Sequence, residues 1–192
     1  MHNELVKCFI LAGGKSSRMG SNKALLTFNG NTLLSNCIKV LKEFSKEIYI
    51  SGNYPEYKIF NLPIIIDEYA EIGPMGGLQS SLKILAKDEY GFFTTCDMPL
   101  IKSSLINKLA TELNPFDCVV FSVNGIIQPL FGFYNQRCLR DIESQIQKGN
   151  FSLTSLVFNS HSKVIEISSD EKDYLNNINT PEEYKKLNQN EY

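Results

Sequence analysis

Lys15, Arg18 and Lys23 follow directly on the apolar run Cys8 to Ala12 and the glycine pair Gly13-Gly14. Three cations on one short loop repel one another, so a partner of opposite charge explains their company. Glycine lets the backbone come close to a phosphate and turn its N–H groups toward it, and the cations supply charge. A glycine turn carrying merely solvated cations is the plain alternative. The loop is neither of two familiar phosphate binders. The P-loop pattern needs Lys directly after its second Gly, whereas Gly20 is followed by Ser21, and G-x-G-x-x-G is absent.

Two carboxylates occupy comparable places. Asp67 follows the apolar stretch Leu62 to Ile66, and Asp97 follows Tyr90 to Cys96. Pro99 biases Met98 toward an extended backbone, so no helix starts at Asp97 and its carboxylate stays available. An Asp in this position also serves as a turn or capping residue. Beside a phosphate loop it becomes a candidate ligand for Mg²⁺, which takes one or two carboxylates and completes its shell with substrate phosphates. Gly73-Pro74-Met75-Gly76-Gly77 holds more glycine than a helix start with Pro requires. Backbone packed closely against a ligand, or a simple flexible turn, accounts for it. Other chemistries lack material: the two histidines are His2 and His161, and five cysteines without C-x-x-C spacing give neither a zinc site nor a disulfide framework.

The elements that must position these residues are short apolar runs alternating with amphipathic segments such as LLSNCIKVLKEF and SLINKLATEL. That alternation predicts right-handed βαβ units and a mainly parallel sheet, whose ligands bind beyond the carboxyl ends of the strands. Asn124-Gly125 between two strand-like runs predicts a type I′ hairpin, so one strand runs antiparallel and the sheet is mixed. Thr180, Pro181 and Glu183 read as N-cap, first helical residue and capping-box partner of a last helix reaching Leu187. Phe151 to Asp173 is polar enough to read as partly loop. With 192 residues and no linker or repeat, residues 1–192 are expected to form a single domain. A net charge of −2 lacks the positive excess that extended nucleic-acid binding would use, so no nucleic-acid partner is expected and phosphate binding should be local. No apolar run reaches the ~20 residues of a membrane span, so no membrane association and a cytoplasmic location are expected.

Taken in order along the chain, these motifs resemble the molybdenum cofactor guanylyltransferases (MobA), within the wider family of α/β nucleotidyltransferases. The resemblance rests on Leu11-Ala12-Gly13-Gly14, Ser17-Arg18-Met19-Gly20 with Lys23, Ile66-Asp67, Gly73 to Gly77, Cys96-Asp97-Met98-Pro99, Gln128 to Phe131 and Asn177-Ile178-Asn179-Thr180-Pro181-Glu182. It implies a Rossmann-like three-layer α/β/α nucleotidyltransferase fold and transfer of GMP from GTP to the terminal phosphate of molybdopterin. By resemblance Leu11, Ala12, Gly13 and Gly14 line the GTP site, Lys23 contacts its phosphates, Arg18 stabilises the leaving pyrophosphate and Asp97 holds Mg²⁺. Asp67 and Asn53 touch the nucleoside, and Asn177 and Asn179 serve the acceptor. Transient contact with other cofactor-biosynthesis proteins and with acceptor molybdoenzymes is implied as well. Two positions depart from the usual pattern: Asn22 stands where Asp commonly precedes the lysine, and Asn31-Thr32 where a basic residue and Pro are common.

Overall fold

Each long strand of the central sheet has side chains facing two cores. In β1 (Lys7–Leu11), Cys8 and Ile10 enter one core while Phe9 and Leu11 enter the other. In β6 (Tyr90–Thr95), Phe92 and Phe93 divide the same way. This is the period-2 alternation of a sheet covered on both faces. The structure, a computed structural model, describes residues 6–13, 22–69 and 71–189.

The first core is closed by α1 (Leu33–Lys42) and α3 (Ser103–Ala110). The second is closed by α2 (Pro74–Leu82), α4 (Cys138–Gln147) and α5 (Leu153–Asn159), giving three layers, α/β/α. Besides β1 and β6 the sheet contains β4 (Ile48–Ser51), β5 (Ile64–Ile65), β7 (Cys118–Val123), β8 (Ile126–Asn135) and β9 (Ser162–Glu166), in the order β5-β4-β1-β6-β8-β7-β9. Only β8 runs against the rest. A separate two-stranded ribbon, β2 (Thr27–Phe28) with β3 (Asn31–Thr32), turns through Asn29 and Gly30, both at positive φ.

The expected hairpin joins β7 to β8 through Asn124 and Gly125, at φ 51° and 75°. Its register slips between Val120 and Phe121 and leaves Pro129 in the irregular stretch, where a residue without an N–H costs no ladder bond. Thr32, one of the two departures from the family pattern, accepts a hydrogen bond from Ser35 N at 3.0 Å and so caps α1. The stretch read as partly loop also contributes α5 and β9: Leu153, Leu156 and Val157 bury against the second core, and β9 pairs in parallel with β7. Within the same stretch, 151–152, 160–161 and 167–171 are loop or turn as expected, and a short element needs only a few inward apolar residues to form between such loops. The last helix, α6 (Pro181–Gln189), runs slightly past Leu187. Among the described residues no helix is long and apolar enough to cross a membrane.

β1 lies where the winding reverses, with β4 and β5 on one side and β6 on the other. All four run parallel, so Leu11, Ser51, Ile65 and Thr95 end at one edge of the sheet. A ligand crevice forms at such a switch point.

Candidate active site

Two clusters stand at that edge. In the first, Ala12 N donates to Ser51 O at 2.8 Å and Gly52 N to Ile65 O at 2.9 Å, which draws the exits of β1, β4 and β5 together. Ser51 Oγ donates to Asp67 Oδ1. A Cβ on Gly13 would lie 2.6 Å from Asp67 Oδ2, and one on Gly77 would lie 2.7 Å from Ser51 Oγ. A side chain at either glycine would therefore have to displace a neighbouring protein atom. At the C-terminal end of Gly73 to Gly77, the close neighbours of Gly76 and Gly77 are Tyr69 O and Ser51 Oγ. Partial burial raises the Asp67 pKa above the ordinary carboxylate value, and the Ser51 bond opposes that shift.

The second cluster centres on Lys23. Its Nζ lies 2.8 Å from Asp97 Oδ2 and 3.2 Å from Asn179 Oδ1. The other Asp97 oxygen accepts from Thr95 Oγ1. Ile178 N donates to Asp97 O at 2.8 Å, fastening the segment before α6 to the exit of β6. The capping box forms as expected: Glu183 N donates to Thr180 Oγ1 at 3.2 Å, and Glu183 Oε2 accepts from Thr180 N at 3.0 Å. Glu183 also accepts from Asn179 N at 2.6 Å, and this bond is the main reason its carboxyl is held below the usual range. Asn179 is thus fixed through its backbone while its side-chain oxygen faces Lys23.

Lys23 begins the short 3-10 turn Lys23–Leu25, capped by Asn22, whose Oδ1 accepts from Ala24 N at 3.2 Å. A second departure from the family pattern is thereby explained, because Asn caps such a turn as well as Asp does. Among the described residues no group of three or more His, Cys, Asp or Glu side chains could cage a metal. The oxygens of Asp97 and Asn179 do converge on one cationic nitrogen. Such a pair of hard donors suits Mg²⁺ when phosphates and water supply the remaining ligands.

Of the residues expected from sequence, Lys23, Asp97 and Asn179 meet in one cluster, and Leu11, Ala12, Gly13 and Asp67 line the other. Asn53 is exposed just beyond β4. Asn177 is half-buried, its Oδ1 enclosed and without a hydrogen-bond partner among the described residues. Gly14 and Arg18 lie outside the described residues. Sequence reasoning assigned Lys23 to one substrate and Asn179 to the other, whereas the structure places them in contact. It also missed Ser51, Thr95 and Tyr57, whose hydroxyl lies 3.0 Å from Ala12 O and 3.2 Å from Asn22 Oδ1. The available signal for these was position alone: each stands at, or a few residues beyond, the exit of a parallel strand.

The family model of the MobA-like NTP transferase domain matches residues 8–164, from β1 into β9. The chain belongs to this family. Among MobA-like relatives, the probable molybdenum cofactor guanylyltransferase of Carboxydothermus hydrogenoformans is 31% identical over 183 residues, covering 93% of this chain and 92% of the relative. The protein of the same description from Clostridium perfringens strain 13 is 33% identical over 186 residues, with 93% of each covered. In three dimensions, a putative protein from Aquifex aeolicus VF5 superposes with a TM-score of 0.78 at 27% identity, covering 91% of this chain and 93% of that one. Molybdopterin-guanine dinucleotide biosynthesis protein A from Archaeoglobus fulgidus, at 18% identity, shares the fold with a TM-score of 0.81 over 96% of this chain and 97% of that one. The three-layer fold is thus common to this chain and these two structures, and the chain is a nucleotidyltransferase.

Proposed function

We propose that the protein transfers GMP from GTP to the terminal phosphate of molybdopterin, releasing pyrophosphate and forming the guanine dinucleotide of the cofactor. The observation that carries this reading is the meeting of Lys23, Asp97 and Asn179. It brings Lys23, which follows the glycine loop, together with Asp97 and the Asn-x-Asn-Thr-Pro-Glu segment at one point, where two side-chain oxygens meet the Lys23 ammonium. The descriptions of the relatives supply the substrates.

The chemistry suits these residues. A phosphate monoester carries a charge of about −1.5 to −2 at pH 7 and needs no protein base to become a nucleophile. One of its oxygens bonds to the α-phosphorus of GTP. The bond from that phosphorus to the bridging oxygen breaks, and the electron pair departs with pyrophosphate. The protein's task is to position both substrates and neutralise charge. Lys23 leaves the Asp97–Asn179 pair to contact the nucleotide phosphates, and Arg18, by resemblance, steadies the leaving group. Leu11, Ala12, Gly13 and Gly14 border the nucleotide, Asp67 and Asn53 the nucleoside, and Asn177 with Asn179 the acceptor. Asp97, with Asn179 as a second oxygen donor, would hold Mg²⁺, which when bound supplies charge neutralisation on the phosphates. Delivery of the product to acceptor molybdoenzymes, transient contact with other biosynthetic proteins and a cytoplasmic location belong to the same reading.

The test is incubation with each nucleoside triphosphate, Mg²⁺ and molybdopterin, followed by detection of dinucleotide and pyrophosphate. Product from GTP alone is expected. Product from CTP in preference to GTP, or none with molybdopterin, overturns the assignment.

A further inference from the structure

The two clusters are linked by a residue in the segment that follows β4. Tyr57 lies in the 3-10 helix Pro55–Phe60, between β4 and β5, and is completely buried. Its hydroxyl is within hydrogen-bond reach of two oxygens, Ala12 O at 3.0 Å and Asn22 Oδ1 at 3.2 Å. These oxygens flank the nucleotide loop: Ala12 precedes Gly13, and Asn22 caps the turn that begins with Lys23. The ring is seated closely. A Cβ on Gly52 would lie 3.2 Å from Tyr57 Cε2, and the Tyr54 ring packs 5.4 Å away. Burial pushes the hydroxyl's pKa well above the ordinary tyrosine value, so it stays a proton donor at working pH. The Nδ2 of Asn22 is buried without a partner among the described residues, leaving a donor unused on the side chain that Tyr57 holds.

We propose that Tyr57 is a positioning residue for nucleotide binding: its hydroxyl ties Ala12 to Asn22 and so sets the separation between the glycine end of the nucleotide loop and Lys23. The inference rests on the nucleotidyl-transfer reading above, and it is independent of which base or acceptor is used.

Tyr57→Phe removes the oxygen and keeps the buried ring, so the variant is expected to fold. Tyr90→Phe is the control, because Tyr90 begins β6, at the end opposite the cluster at Thr95, and its hydroxyl donates to the carbonyls of Leu113 and Phe116, which belong to neither cluster. Inorganic triphosphate with Mg²⁺ is the probe, since it carries neither base nor acceptor. Its dissociation constant, measured by titration calorimetry, should rise about tenfold in Tyr57→Phe and stay unchanged in Tyr90→Phe, although both variants lose some melting temperature. In turnover, Tyr57→Phe should raise KM for the nucleotide by a similar factor with a much smaller change in kcat. Native triphosphate affinity in Tyr57→Phe, or equal weakening in Tyr90→Phe, overturns the proposal. Failure of the guanylyl assignment would appear instead as a different preferred base, with the triphosphate result intact.

Discussion

Replacing Gly13 by Ala should strike the fold and the nucleotide site together. The new Cβ would stand 2.6 Å from Asp67 Oδ2, while ordinary contact begins at 3.4 Å, so 3.4 − 2.6 = 0.8 Å must be found. Gly52 Cα, 3.3 Å from the same Cβ, blocks a retreat of the loop, and the Ser51 hydroxyl holds the other Asp67 oxygen. The easiest relief is for Asp67 to swing away and give up Ser51. Losing a hydrogen bond to a charged group costs about 1.5–3 kcal/mol. At roughly 2–4 °C per kcal/mol for a chain of this size, the melting temperature should fall by about 3–12 °C. Thermal unfolding followed by circular dichroism measures this, and titration with GTP and Mg²⁺ should show weaker binding. In an Asp67→Ala background, where the clashing carboxylate and its Ser51 bond are already gone, Gly13→Ala should cost much less than it does in the parent, because the two changes are not additive. A single variant that melts within a degree of the parent, or a Gly13→Ala change that costs as much in the Asp67→Ala background as in the parent, would refute the close-packing argument.

Asp97→Asn should abolish turnover while the fold survives, since the change keeps the shape and removes only the charge; losing electrostatic stabilisation at the phosphates costs several kcal/mol of barrier, visible in single-turnover assays. Asn179→Ala, given its 3.2 Å contact with Lys23, should alter GTP affinity a few-fold as well as slowing transfer to molybdopterin, and calorimetry alongside transfer assays separates the two effects. Asp67 has its pKa raised by desolvation, so the folded chain binds that proton more tightly than the unfolded chain does. Its contribution to stability is therefore full below the unfolded value of 3.8 and is lost as pH rises through the folded value. Asp67→Asn should accordingly gain stability over the parent at neutral pH and show no gain in acid, as read from melting curves across pH; a gain that grows toward acid would contradict it. All five cysteines are buried and outside disulfides, and burial pushes the Cys8 and Cys96 thiols up to about 12, so a thiol reagent at pH 8 should label none until the chain is denatured.

Several features were decided locally and could be read from the sequence. The Asn124-Gly125 turn follows from which residues tolerate positive φ, and the Thr180–Glu183 capping box from side chains reaching their own backbone three residues away. The mixed, mainly parallel sheet followed from the alternation of apolar runs, and Asp67 and Asp97 were marked by standing just beyond strands. These signals lie within a few residues of one another, so the chain carries them before it folds. The contacts that make the site span far greater separations: Lys23 with Asp97 and Asn179, and Tyr57 with Ala12 and Asn22. They exist only because the winding reverses at β1 and brings the exits of four parallel strands to one edge. For the same reason the sequence marked Gly13 as a phosphate contact, while its need for glycine also comes from Asp67, a residue brought near by strand pairing. Composition records which groups are available, and only the sheet sets the distances that decide which oxygen meets which ammonium.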